Sequence, residues 1–164
     1  MPQTYEPIAT TTLGSAASTI TFSSIPATYT DLRLILNLKA ASAQYMQMEF
    51  NNSSATNYSL TWMDGSGSAA ASGRVTNSTY IDLSQRTAPS GQMSLYTIDI
   101  FSYAGSTNKT CLLTYNQDNN GSGYVGLEVG LWRNTAAITT VKLMSGVSIY
   151  DIGTTATLYG IKNA

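Results

Sequence analysis

The chain of 164 residues contains no histidine and one cysteine, Cys111. That removes Ser-His-Asp and Cys-His nucleophile systems and any His-ligated zinc. Cys111 lies in the strand-like run Lys109-Thr110-Cys111-Leu112-Leu113 and reads as a small buried hydrophobe. A secreted domain of this size often carries disulfides, so their absence points to assembly in a reducing cytoplasm. The remaining acid–base candidates are the nine Asp and Glu residues. Glycoside cleavage needs two carboxylates facing each other across a cleft. Asp99 and Glu128 fall inside strand-like runs and could face a concave sheet, but nine acids always offer some such pair, so no catalytic residue is expected. Asp118-Asn119-Asn120-Gly121-Ser122 has the opening of a calcium loop without its second carboxylate or distal Glu, and reads as a hydrogen-bonded turn. No metal site and no cofactor are expected.

Carbohydrate recognition is a sharper idea, because sugars stack on aromatic rings and bond to neutral polar groups. The chain has Tyr 11 and Trp 2. Trp62 continues the alternation of Tyr58 and Leu60, which predicts a core position. Trp132 shares its face with Tyr124, Gly126, Glu128 and Gly130, whereas Val125, Leu127, Val129 and Leu131 share the other. The mixed face leaves Trp132 open to three roles: core, partner interface or ligand platform. Arg133 follows it at the strand end.

The elements that position these residues have period two. Leu32, Leu34, Leu36 and Leu38 alternate with Arg33, Ile35, Asn37 and Lys39, and the runs around Met46–Phe50 and Tyr58–Met63 do the same. Further candidates are 18–22, 79–84, 94–102, 109–115, 123–132, 138–144 and 156–161. About ten strands, spaced by Asn, Gly and Ser clusters, predict an all-β protein, an antiparallel β-sandwich of jelly-roll-like kind. Asn120-Gly121 predicts a tight hairpin. Around Ala69-Ala70-Ala71 a single short turn is expected. Residues 1–12 hold Pro2 and Pro7 and read as an extended N-terminal arm with apolar anchors at Tyr5, Ile8 and Leu13. Residues 13–164 then form a single β-sandwich domain.

Composition narrows the partners. Charged residues are 10% of the chain and the net charge is −1, against roughly 25% charged in an ordinary domain. Thr 23, Ser 20, Asn 11 and Gly 13 together make 67 residues. Eight scattered Lys and Arg form no basic stripe, so nucleic acid is not expected as a partner. No apolar run reaches the roughly 18 residues of a membrane span, and the first residues show no secretory signal. Strands with neutral polar outer faces suit a protein packed against copies of itself, where unpaired buried charge is costly.

Several segments look like those of a known group. They are Thr4-Tyr5-Glu6-Pro7-Ile8-Ala9-Thr10-Thr11-Thr12-Leu13-Gly14, Ile20-Thr21-Phe22-Ser23-Ser24-Ile25-Pro26-Ala27-Thr28-Tyr29-Thr30-Asp31-Leu32, Gly130-Leu131-Trp132-Arg133-Asn134-Thr135-Ala136-Ala137-Ile138-Thr139 and Thr157-Leu158-Tyr159-Gly160-Ile161. Together they resemble virion structural proteins of tailed bacteriophages, with the stretch from about 51 to 91 matching least. The resemblance implies a capsid cement or decoration protein, or a tail-fibre tip, with a jelly-roll-like sandwich and a homotrimeric state. It carries no catalytic motif. A chain that enters its β-module a dozen residues after Met1 suits a free-standing decoration protein. Such a protein would be made in the bacterial cytoplasm and bind the major capsid protein on the outer head surface. The alternative is a fibre tip that contacts tail proteins and host surface glycan. On this reading Tyr5, Ile8 and Leu13 contact the partner from the arm, and Trp132 and Arg133 do so from the strand end.

Overall fold

The computed structural model describes residues 4–147 and 149–162. Within them the chain forms twelve strands and no helix: β1 (Tyr5–Thr12), β2 (Thr19–Phe22), β3 (Asp31–Lys39), β4 (Gln47–Phe50), β5 (Tyr58–Gly65), β6 (Ala70–Ser78), β7 (Ile81–Asp82), β8 (Met93–Phe101), β9 (Lys109–Asp118), β10 (Gly123–Trp132), β11 (Val141–Met144) and β12 (Thr155–Ile161). Eight of them make one sheet in the order β1-β12-β3-β8-β9-β10-β5-β6, and four make a second in the order β2-β11-β4-β7. Every pairing between named strands is antiparallel. The fold is all-β and sandwich-like, as the alternation predicts.

The core lies where the inward faces meet. Leu32, Leu34, Leu36 and Leu38 are fully buried on β3, as are Ile98 and Ile100 on β8. Ile20, Phe22, Met48, Phe50, Val141 and Leu143 bury the corresponding face of the small sheet. Ordinary strand physics puts them there: successive side chains point to opposite faces, so a period of two buries one row. At the β9–β10 turn, Asn120 and Gly121 both have positive φ, 52° and 119°. The Asn119 N–H donates to the Ser122 carbonyl across it at 2.7 Å. This is the hairpin that Asn-Gly predicts.

Two expectations change, and one question left open is decided. Residues 5–12, read as an arm, form β1, an edge strand hydrogen-bonded along β12 of the same chain. Residues 1–3 of that segment lie outside the described residues. Register slips between Pro7 and Ala9, leaving Ile8 as a bulge. Proline and a bulge are edge-strand features, because an edge needs no donor on its outer side. The Glu6 carboxylate fastens this strand by accepting from Lys162 Nζ at 3.0 and 3.2 Å and from the Tyr29 hydroxyl at 3.1 Å. Tyr29 sits close over Gly160, where a Cβ would fall 2.3 Å from its ring.

Around Ala69-Ala70-Ala71, where a single short turn is expected, the nine-residue strand β6 (Ala70–Ser78) begins. Its inward positions are Ala71, Gly73 and Val75, because the Trp62 ring of β5 lies over Gly73 and takes the space a larger side chain would need. Trp62 is accordingly half-buried at the margin of the core. On β10, predicted as a strand, the structure decides the face that the sequence left open. Its Gly- and Glu-containing face turns inward, and Val125, Leu127 and Val129 face out.

Candidate functional site

The sequence-derived site residues separate. Trp132 is 1% exposed and belongs to the core. Its ring stacks on Tyr58 at 6.1 Å between centroids and tilts against Phe50 at 5.6 Å. A ligand platform or exposed interface role for Trp132 is therefore corrected: the inward turn of β10 carries it into the sandwich. Arg133, one residue on, is exposed and donates to the Thr56 carbonyl and Asn77 Oδ1, each at 2.9 Å. Of the three anchors in residues 1–13, Ile8 and Leu13 pack on the core of their own chain. Tyr5 stays exposed, with its hydroxyl accepting from Arg33 Nη1 at 3.0 Å.

Asp99 and Glu128 do not form a pair. Asp99 lies on the outward side of β8 and holds Arg33 through two hydrogen bonds of 2.5 and 2.8 Å. Glu128 is 0% exposed on the inward face of β10. Neither of its oxygens meets a hydrogen-bond partner among the described residues. Burial, then repulsion from Asp82 and Asp64, pushes its carboxyl up to about 8, and the nearby Gln85 backbone offsets part of that rise. At neutral pH Glu128 is thus mostly a protonated, buried acid. Asp118 Oδ1 accepts from the Asn120 N–H at 2.8 Å, which is a closed turn. The Cys111 thiol is buried, and burial pushes it up to about 12.

Two interior ionic groups escaped the sequence reading. Asp64 is buried, accepts two hydrogen bonds from Arg86 at 2.8 and 2.9 Å, and takes a third from the Tyr115 hydroxyl at 3.2 Å. Chiefly through Arg86, its carboxyl is held below the ordinary aspartate value. Tyr115 reaches this place because Gly126, opposite it on β10, leaves room; a Cβ there would sit 2.1 Å from the ring. Lys109 is also buried, and its ammonium donates to the carbonyls of Gly105, Thr107 and Thr135. Burial lowers its pKa. The local sequence signal for both was a charge on the inward phase of an alternating strand.

Two surface features are left. At one end of the large sheet, a cleft of about 460 Å³ lies between the β5–β6 and β9–β10 hairpins, lined by Ser66, Asn116, Gln117, Asp118, Ser122 and Tyr124 among others. The second is the outer face of β5, β10, β9 and β8. Val125 is 67% and Met63 58% exposed there, and Leu95, Leu127 and Val129 are exposed as well. Register makes Met63, Val125, Leu127, Val129 and Leu112 contiguous, since Leu127 lies opposite Met63 and Val129 opposite Leu112, whereas on β8 Leu95 lies opposite Asn116 and Asp99 opposite Leu112.

No protein-family model matches the chain. No curated protein matches it either.

Proposed function

We propose that this chain is a non-enzymatic structural protein of a phage virion. Its most specific form is a capsid cement or decoration protein, jelly-roll-like in winding. It would bind the major capsid protein on the outer head surface as a trimer. The observation that carries this reading is the outer face of β5, β10, β9 and β8, with its exposed Met63, Leu95, Val125, Leu127 and Val129. Exposed apolar patches of this kind serve lasting contact between proteins. The resemblance of the terminal segments to phage virion proteins supports the same reading. Cementing needs no chemistry: a subunit that binds the assembled shell and not its parts stabilises the shell by mass action. Several copies around a symmetry axis add avidity. Tyr5 and Arg133, both exposed, remain as contacts for the shell.

A second reading is a tail-fibre tip that recognises host glycan, favoured by the amide, hydroxyl and carboxylate lining of the hairpin cleft, which includes Asn116, Gln117, Ser122 and Asp118. Immunogold labelling of particles of the phage that encodes this chain separates the two. Label over heads supports the decoration reading, label at tail ends supports the tip, and unlabelled particles sink both.

A further inference from the structure

We propose that residues 83–92, between β7 and β8, form a strap latched over Glu128, closed while that acid keeps its proton and open once it loses it. The device is independent of any place in a particle and rests on how the strap is laid down. Together with the end of β7, it follows the inward row of β10. Ile81, just before the strap, fills the space over Gly130, where a Cβ would fall 2.9 Å from Ile81 Cδ1. The Gln85 backbone lies beside the Glu128 carboxyl. Arg86 spreads its guanidinium 4.5 Å from the centre of the Tyr124 ring. Gly130, Glu128 and Tyr124 are thus covered in turn. The strap's own attachments are sparse. The N–H groups of Leu83, Ala88 and Gly91 donate to the carbonyls of Met46, Gln44 and Ala40 at 2.9, 3.2 and 2.7 Å, with no strand ladder to join them. A segment with few backbone bonds opens more readily than the strands around it.

Glu128 is the group that the strap encloses. It is 0% exposed, and neither oxygen meets a hydrogen-bond partner among the described residues. Titratable groups face it from each neighbouring element: Asp64 on β5, Asp82 on β7, Tyr96 on β8, and Cys111 and Tyr115 on β9. Burial pushes Tyr96 and Cys111 up to about 12 and raises Tyr115 as well, so these three stay neutral. The cation among these neighbours is Arg86 of the strap, and Asp64 already holds it through two hydrogen bonds. An ionised Glu128 is therefore a buried charge with no counter-charge and two like charges near it, which costs far more than a buried neutral acid. Moving the strap aside returns the carboxylate to water. The Arg86–Asp64 clasp acts on the same strap with the opposite sign. It holds above the ordinary aspartate value and is lost in acid. The strap is thus tightest in mild acid, where Asp64 is ionised and Glu128 is not.

Linkage fixes the size of the effect. With the strap closed the Glu128 carboxyl stands at about 8, against the ordinary 4.5. Between those two values each unit of rising pH makes opening about tenfold easier. Hydrogen exchange of the full-length chain from pH 5 to pH 8 reads this as protection factors, which divide out the intrinsic pH dependence of exchange. The amides of Leu83, Ala88 and Gly91 are expected to be less protected than those of β3 and β8 at every pH. They should also lose about tenfold in protection per pH unit. Glu128→Gln keeps the shape and cannot ionise, and Glu128→Leu is apolar and of similar volume. Circular dichroism checks that both fold, and both should lose most of that slope. Wild-type strap protection that does not change with pH overturns the inference. So does a folded variant with the slope of wild type. Strap amides as well protected as those of β3 and β8 overturn it too, because the opening would then be that of the whole molecule.

Discussion

Arg86 grips Asp64 with two parallel hydrogen bonds of 2.8 and 2.9 Å while spreading its guanidinium 4.5 Å from the centre of the Tyr124 ring. The pair is lopsided: the Asp64 side chain is 1% exposed and the Arg86 side chain 34%. One arginine from the segment after β7 thus ties that segment to β5, to β10 through Tyr124 and, through the Asp64–Tyr115 bond, to β9. A carboxylate buried this deeply is tolerable only with its partners in place.

Removing the arginine therefore does more than delete a surface ion pair. Arg86→Ala is expected to destabilise the fold by about 2–4 kcal/mol, within the range for orphaning one buried charge and discounted for the exposure of the arginine. Asp64→Asn in the same chain should recover part of the loss, because a neutral amide is cheaper to bury. The sign with pH follows from the lowered Asp64 carboxyl. Its stabilisation is present above the unfolded aspartate value and is lost as pH falls through the folded one. Denaturant midpoints should show the Arg86→Ala deficit at neutral pH and show it shrinking toward pH 3. A deficit that is constant with pH would mean that Arg86 acts by packing on Tyr124 alone.

Glu128 gives the opposite sign. Its folded value of about 8 stands above the ordinary 4.5, so the folded state holds the proton more tightly than the unfolded one. Stability from this group is greatest below pH 4.5 and falls as pH rises toward 8, by at most about 1.4 kcal/mol per unit. Glu128→Gln keeps the shape and removes the ionisation. The variant should gain on wild type by roughly 3–5 kcal/mol between pH 5 and pH 9 on the same scale. Thermal melts of both proteins across that interval check it, and parallel pH profiles would contradict a buried ionisable carboxyl.

These interior groups show what the sequence made legible and what it did not. The leucines of β3 announce their strand because each inward neighbour is also large and apolar. β10 announces its strand, predicted over 123–132 as observed, but not its inward face, because its inward row is Gly126, Glu128 and Gly130. Tyr115 fills the space over the first glycine, and Cys111 and Ile81 fill the space over the second. Core on that strand is supplied by other strands, so its own hydropathy points the wrong way and places Trp132 in doubt. β6 is hidden for the same reason, with Trp62 standing where its inward side chains would be. β1 is hidden by Pro7, which forbids a central strand but not an edge. The candidate surface was legible only as composition: scarce charge and abundant threonine said that some face was neutral, and register was needed to say which.

Trp132, once placed, yields a separation of roles. Trp132→Ala should cost about 3–5 kcal/mol, as large core truncations do. Trp132→Phe should cost less, since Phe50 and Tyr58 still enclose the ring. If glycan is bound, it is bound in the hairpin cleft, so Trp132→Phe should leave glycan-array signals unchanged while Asn116→Ala with Gln117→Ala abolishes them. Arrays read beside thermal melts distinguish the two effects. Signal lost in a folded Trp132→Phe protein would return the tryptophan to the binding surface.

Deletion of residues 1–12 tests the edge itself. A detachable arm would leave the remaining protein as stable as before. Here the same deletion strips seven paired positions from β12, from Tyr5 against Ile161 to Thr12 against Thr155. It also removes the carboxylate that holds Lys162 and Tyr29. The uncovered β12 then presents a row of free N–H and C=O groups, the usual template for edge-to-edge aggregation. The truncated chain is expected to melt several degrees lower and to aggregate with concentration, as light scattering would show. Glu6→Gln is the gentle counterpart: it keeps the strand, weakens only its fastening to Lys162 and Tyr29, and should lower protection of the β1–β12 amides from hydrogen exchange while leaving the β3–β8 amides as they are. A truncated protein that stays monomeric with an unchanged melting temperature would show that β1 contributes nothing to the sheet it borders.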